Sequence, residues 1–205
     1  MGTVTERIEA FAAETARIAA IAESKIADRE DDPRPVCFWN MHNQAVMTLE
    51  IIGFYESVWQ GQEGTEDEMV DRIVVSTRNL FVNAMSSAEK GARDCMRLLK
   101  GSPVREKAAE KGGRMYLRDI ITASAELGYI GEDDLGRWEK ILLMRNLVVH
   151  NNAVSDRSDV FVLDDLKISM RPERMMKGPP HTYVSLSSEV AMLTFRWMSS
   201  VCGKG

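Results

Sequence analysis

The segment from Val36 to Trp59 constrains the fold more than any other part of the chain, because it is apolar nearly all round. A helix on a protein surface has an apolar stripe on one side only, whereas a helix that is apolar on every side is enclosed by others. The segment therefore predicts a long helix buried at the centre of a helical bundle. The sequence Asp32-Pro33-Arg34-Pro35 precedes it and is expected to end an earlier helix.

Capping and helix-stop residues divide much of the remaining chain into further helices. Capping boxes at Thr3…Glu6 and Thr65…Glu68 predict one helix that runs to about residue 30 and another that runs to about residue 99. Ser102 followed by Pro103 starts the next helix, which Gly112-Gly113 interrupts and Gly128 ends. The acidic triplet Glu132-Asp133-Asp134 suits the positive end of a helix dipole and opens a helix that continues to about residue 150. The predicted fold class is all-α.

The pattern changes after Ala153. Short, partly alternating segments at 160–163, 166–170 and 182–186 are separated by prolines, which predicts a small β-hairpin or a long ordered loop. Ser185 or Ser187 is the expected cap of a last helix that packs back on the bundle. We expect one domain over residues 1–205, made of an N-terminal helix (1–35), a helical core (36–152), the loop or hairpin (153–186) and a C-terminal helix (187–202).

Several classes of protein are disfavoured by composition and spacing. No apolar run approaches the roughly 18 residues that span a bilayer, and charged residues occupy the first 30 positions, so we expect a cytoplasmic protein without membrane contact. The three widely spaced cysteines, Cys37, Cys95 and Cys202, predict reduced buried thiols and not a disulfide framework. Neither a glycine-rich phosphate loop nor a metal-ligand spacing is found, so we expect no cofactor and no metal site.

The net charge of −5 disfavours duplex binding by the whole surface, because that requires a basic face against many phosphates. A local basic cluster remains a candidate RNA-binding surface. Acidic residues at 106, 110 and 119 are interleaved with it, so a solvated helix face explains the same pattern. The cluster consists of Arg105, Lys107, Lys111, Arg114 and Arg118.

Residues 142–152 place an arginine, an amide and an imidazole in an otherwise apolar helical run. Burying such groups without partners costs several kcal/mol, so they must pair internally, line a cleft or face a partner. On a helix with about 100° per residue, Asn146 and His150 lie one turn apart, and Arg145 borders the same groove. These three residues are the candidate catalytic site.

The three residue types suit phosphate chemistry. Arg145 is a permanent cation with planar donors for phosphate oxygens, and His150 exchanges a proton near neutral pH. The Asn146 amide has the groups to orient the imidazole or a ribose hydroxyl. Together they are sufficient in principle to promote attack of an RNA 2′-hydroxyl on its adjacent phosphate without a metal ion.

The segment Arg145-Asn146-x-x-x-His150 resembles the HEPN family (higher eukaryotes and prokaryotes nucleotide-binding), whose hallmark is an arginine, four to six residues and a histidine on a late helix. The resemblance covers about residues 36–152. It implies an all-helical bundle and a metal-independent endoribonuclease, a hydrolase of toxin–antitoxin or phage-defence type. It also implies a homodimer in which two motifs face each other, with RNA as substrate and an antitoxin or other protein as a further partner.

A structural interpretation of the same residues stays open. His150 would then interact with the carbonyl end of its helix, Asn151 or Asn152 would cap it, and Arg145 would pair with Glu139 or Asp156. The protein would in that case be a catalytically inactive helical interaction module that binds a protein partner. Exposure of Arg145 and His150 in a cleft discriminates between the two interpretations.

A second pair, Arg174 and His181, also meets the loosest HEPN spacing. We set it aside, because Gly178-Pro179-Pro180 between the two residues prevents a helix.

Overall fold

The computed structural model describes residues 3–27, 32–59, 66–110, 115–150, 153–156, 158–163, 166–176, 178–179 and 181–202. The predicted all-α class is confirmed, with a small two-stranded antiparallel sheet inserted before the last helix. The elements are α1 (Val4–Lys25), α2 (Pro33–Trp59), α3 (Glu66–Leu98), α4 (Pro103–Ala109), α5 (Leu117–Glu126), α6 (Glu132–His150), β1 (Asp159–Leu163), β2 (Leu166–Met170) and α7 (Thr182–Cys202).

Several helix ends follow from the capping residues in the sequence. The Thr3 side chain accepts from the Glu6 amide and the Glu6 carboxylate accepts from the Thr3 amide, which completes the predicted capping box. Ser102 caps α4 at the predicted position, and Gly128 follows α5 with a positive φ of 77°. Helix α1 ends at Lys25, earlier than expected. The expected cap at Thr65 and the interruption at Gly112-Gly113 lie outside the described residues.

Helices α1, α2, α3 and α7 build the main bundle. Helix α2 packs against α1 and α3, and α3 also packs against α7. His42 Nδ1 lies 2.9 Å from the Ala12 carbonyl oxygen, and the Phe38 and Phe195 rings meet edge to face with centroids 6.1 Å apart. Buried apolar side chains from every helix and both strands form one continuous cluster.

Helix α2 is not enclosed on all sides, so that prediction was wrong. Met41, Ala45 and Ile52 are buried, whereas an apolar stripe on another side of the helix is exposed. The reason is that α2 has a flank that neither α1 nor α3 covers, which hydrophobicity alone does not reveal. The stripe consists of Met47, Ile51, Phe54 and Val58.

The C-terminal region differs from the prediction in one element. Segment 182–186 is the first turn of α7 and not a strand, so the helix begins five residues before the expected position. The Thr182 amide and hydroxyl both donate to the Pro179 carbonyl, and the Tyr183 ring stacks on Phe81 of α3. These contacts hold the turn in a helical conformation, although its β-branched and aromatic residues favour a strand.

The predicted hairpin is present as β1 and β2, with Phe161 paired to Ile168 in antiparallel register. Side chains alternate, so that Phe161, Leu163 and Ile168 are buried while Val160 and Val162 are exposed. The hairpin thus adds one apolar face to the helical core.

A hydrogen bond, an ion pair and a disulfide fix α7 to the rest of the bundle. The buried Trp197 indole donates to Ser124 Oγ of α5 at 2.8 Å, and Arg196 binds Asp134 of α6 at 2.9 Å. A disulfide joins Cys95 of α3 to Cys202 of α7, which corrects the expectation of reduced thiols at these two positions. The sequence did not predict this disulfide, because 107 residues separate the two cysteines.

Cys37 agrees with the expectation of a buried free thiol. Desolvation raises the pKa of this thiol far above its ordinary value, with a smaller contribution from the Asp94 charge. Among the described residues, no helix is long and apolar enough to cross a membrane.

Candidate active site

Helix α6 separates its apolar and polar residues onto different sides. Trp138, Ile141, Met144, Leu147 and Val148 are buried and dock the helix on the bundle. Arg145 is half-buried, and Asn146 and His150 are exposed. The three candidate catalytic side chains therefore lie on the solvent side of the helix, as expected if they do not serve the core.

A groove of about 640 Å³ lies beside this part of α6. Its walls come from α3, from the start of α5 and from α6. Arg145 and Asn146 line it together with Arg118. The other lining residues are Met85, Glu89, Tyr116, Leu117, Glu139, Leu142 and Leu143.

Arg145 is held by its neighbour in the sequence. Its Nη1 atom donates to Asn146 Oδ1 at 3.2 Å. Across the described residues, Arg145 forms no ion pair, so the alternative pairing with Glu139 or Asp156 is not found. A guanidinium with a single neutral partner retains donors for an incoming anion.

His150 lies at the last position of α6, one turn beyond Asn146. At 1.5 Å per residue the rise between them is about 6 Å. The imidazole is exposed and is not one of the groove-lining residues. The structure thus groups Arg145 and Asn146 with the groove and places His150 next to them along the helix.

The chain after His150 turns back onto α6. Ala153 is buried, has a positive φ of 63°, and donates its amide to the Leu147 carbonyl at 2.9 Å. This bond satisfies one of the carbonyl groups that a helix leaves unpaired at its end. It therefore restrains the helix end that bears His150. The two proposed caps, Asn151 and Asn152, lie outside the described residues.

The described members of the predicted basic cluster lie on two helices, α4 and α5. Of its described members, Arg118 alone lines the groove, while Lys107 pairs with Glu126 at 2.9 Å. The hydrogen bond that Lys107 donates to Glu126 raises the pKa of Lys107. Arg105 is half-buried in α4, and Lys111 and Arg114 lie outside the described residues.

Three polar groove residues were not among the predicted site residues. Tyr116 is 55% exposed and stands two residues before Arg118, which is an arrangement for stacking a base beside a bound phosphate. Its position between Arg114 and Arg118 in the sequence could have identified it as a candidate site residue. Glu89 and Glu139 add carboxylates that accept hydrogen bonds from a base or ribose. Glu89 comes from α3, some 50 residues from the motif, and only the fold brings it near.

The described residues contain no group of three or more histidine, cysteine, aspartate or glutamate side chains arranged to hold a metal ion. The polar residues that line the groove are two arginines, an amide, a tyrosine and two carboxylates, and the His150 imidazole lies one turn beyond Asn146 on α6. Side chains of these types are chemically suited to binding anions and to hydrogen bonding with sugars and bases.

No family model matches the chain, and neither a curated protein nor a solved structure is significantly similar to it.

Proposed function

We propose that the chain is a HEPN-like, metal-independent endoribonuclease of toxin or phage-defence type, which cleaves single-stranded or loop RNA beside α6. One observation carries the proposal. Arg145 and Asn146 line an open groove, Arg145 has no ion pair in the described part of the chain, and His150 is exposed one turn away. Groups that served only the core would be paired or enclosed.

The proposed reaction uses these side chains directly. His150 takes the proton of a ribose 2′-hydroxyl, and the 2′-oxygen attacks the adjacent phosphorus while the bond from phosphorus to the 5′-oxygen breaks. Arg145 stabilises the charge that develops on the phosphate oxygens. A protonated His150, from the same or a second copy, returns a proton to the leaving 5′-oxygen. The products are a 2′,3′-cyclic phosphate and a 5′-hydroxyl.

Other groove residues hold the substrate. Tyr116 stacks a base, and Arg118 binds a flanking phosphate on the same wall. Asn146 keeps the Arg145 guanidinium in place through the 3.2 Å hydrogen bond and is therefore a positioning residue. Removal of its amide should weaken cleavage less than removal of Arg145 or His150.

The test compares variants on a labelled single-stranded RNA of mixed sequence. We expect His150→Ala and Arg145→Ala each to lower the cleavage rate by about 100-fold or more, the scale of a lost general base or charge stabiliser. Because both side chains face solvent, unfolding free energies in urea should stay within about 1–2 kcal/mol of the parent. Arg171→Ala, an exposed arginine outside the groove, is the matched control and should cleave normally.

The chemistry has its own readout. Cleavage should survive EDTA and leave 2′,3′-cyclic phosphate ends, which mass spectrometry of the fragments detects. Cleavage that persists in both alanine variants, or that strictly requires an added divalent metal, contradicts the proposal. If the parent has no activity and both variants unfold easily, the residues are structural, and the protein is the alternative interaction module.

A further inference from the structure

The α2–α3 hairpin ends in a segment with no buried residue among those described. This hairpin tip comprises residues 53–58 of α2 and 68–76 of α3, and burial begins only at Ile52 and Thr77. Tyr183, in the first turn of α7, stacks on Phe81, so α7 starts at that level of α3. The tip is thus a layer of two helices that no described element of the chain covers.

The tip and the adjoining turns of α2 are nevertheless rich in apolar side chains. The exposed stripe of α2 has the spacing i, i+4, i+7, i+11, with Met47 50%, Ile51 42%, Phe54 63% and Val58 38% exposed. Such a stripe is the seam along which a further helix packs. Helix α3 adds Val70 and Val75, exposed by 47% and 45%. Contiguous apolar surface of this extent marks an interaction site.

The charges around this apolar surface are almost all negative. Glu50 lies one turn from both Met47 and Phe54, and Glu56, Glu68 and Asp71 are also exposed. Segments 47–58 and 68–76 together hold four carboxylates and one arginine, a formal charge of −3. That arginine, Arg72, is already placed over the Tyr55 ring at 4.9 Å.

This charge selects among possible occupants. A second copy of the chain would bring the same four carboxylates against the first, and like charges across an interface are unfavourable. Nucleic acid is repelled for the same reason. A helix with an apolar stripe and flanking lysines or arginines fits both the stripe and the charge.

We infer that the hairpin tip and the exposed stripe of α2 are a docking surface for a basic amphipathic helix of a partner protein. The helix lies along α2 with its apolar side chains between Met47 and Val58, and its basic residues meet Glu50 and the acidic end of α3. The described lining residues of the groove beside α6 come from α3, from the start of α5 and from α6, and none of them belongs to α2. The exposed stripe of α2 is therefore a surface separate from the groove.

The experiment measures binding of two synthetic peptides to the full-length protein by fluorescence anisotropy. Both peptides are 21-residue helices with leucine at heptad positions a and d, and one carries lysine and arginine beside the leucines where the other carries glutamate. We expect the basic peptide to bind at least about tenfold more tightly and to weaken as salt rises. Ile51→Ser with Phe54→Ser should weaken it about tenfold or more, and so should Glu50→Lys with Glu68→Lys.

Matched controls separate docking from loss of the fold and from catalysis. Val160→Ser with Val162→Ser changes two exposed valines of β1 and should leave binding unchanged. All the replaced side chains are exposed, so each variant should fold normally. Melting curves check this. His150→Ala should bind the basic peptide normally, so the docking surface is judged separately from the ribonuclease activity.

Three outcomes overturn the inference. The first is no measurable binding of the basic peptide below ~100 µM. The second is equal affinity for the acidic and basic peptides, or affinity that the Ile51/Phe54 variant does not change. The third is a self-associated parent protein that Ile51→Ser with Phe54→Ser converts to smaller species, which would make a second copy the occupant.

Discussion

Arg34 is a charged side chain that the fold encloses almost completely. Its Nε and Nη2 atoms donate to the Asp32 carboxylate at 2.9 and 2.6 Å, and the two side chains are 1% and 2% exposed. The sequence showed these residues as part of a proline-rich helix stop and carried no sign of the ion pair. A buried charge is tolerated only when its partner is present, so the pair fixes the start of α2.

Breaking this pair from one side should be costly. We expect Arg34→Met to lower the unfolding free energy by about 3–5 kcal/mol, because it leaves the Asp32 carboxylate buried without its guanidinium. Asp32→Asn combined with Arg34→Met should recover part of the loss. Urea denaturation measures both.

The exposed pair Arg17–Glu14 provides the control for this prediction. Its atoms are 2.6 Å apart but the side chains are 59% and 38% exposed, so Arg17→Met should cost less than about 1 kcal/mol. Equal losses for Arg17→Met and Arg34→Met would contradict the role of burial.

At the scale of elements, Gly91 lies where three helices approach each other closely. A Cβ atom on this α3 residue would lie 2.8 Å from Met198 Cε of α7 and 2.9 Å from Cys37 Cβ of α2. The missing side chain thus allows α2, α3 and α7 to pack tightly at one level of the bundle.

Gly91→Ala should therefore destabilise the protein although alanine favours helices. We expect a loss of about 1–3 kcal/mol from overpacking, measured by urea denaturation. Gly136→Ala in α6 is the matched control, because nothing lies within 4 Å of its Cβ position, and it should be neutral or stabilising by up to about 1 kcal/mol. A stabilising effect of alanine at both positions would show that the Gly91 contact is not tight.

The elements that sequence could predict are those fixed locally. Thr3, Ser102 and Gly128 set helix ends through bonds within a few residues, and the alternation at 160–163 gave the hairpin. The start of α7 was missed because Tyr183 and its β-branched neighbours favour a strand locally, while packing on Phe81 makes them helical. The exposed flank of α2 was missed for the same reason, since burial depends on which helices pack nearby.

At the scale of the whole molecule, the candidate site also has one part that local sequence predicts and another that depends on long-range packing. Arg145, Asn146 and His150 lie on one helix, so their spacing alone placed them together. The groove wall that α3 contributes and the position of Tyr116 beside the groove depend on long-range packing, which no local pattern encodes. Among the described members of the predicted basic cluster, Arg118 lines the groove and Lys107 pairs with Glu126.

We predict a two-fold homodimer in which α6 lies near the axis. One chain offers one Arg145 and one His150, whereas two facing copies provide two cations and two proton carriers around a single scissile phosphate. The arginines of both grooves would then concentrate positive potential between the chains, despite the net charge of −5 on each. Light scattering at micromolar concentration should give twice the mass of the chain.

Cysteine cross-linking tests where the axis lies. Val149 is 40% exposed on α6 beside His150, so Val149→Cys should form a disulfide-linked dimer under mild oxidation, because the two copies of this residue approach each other across the axis. Val160→Cys, a 51% exposed position on β1, should remain monomeric on a non-reducing gel. A protein that scatters as one chain contradicts the composite site. So does a dimer that cross-links through position 160 and not through 149, since its two His150 side chains would then face away from a shared phosphate.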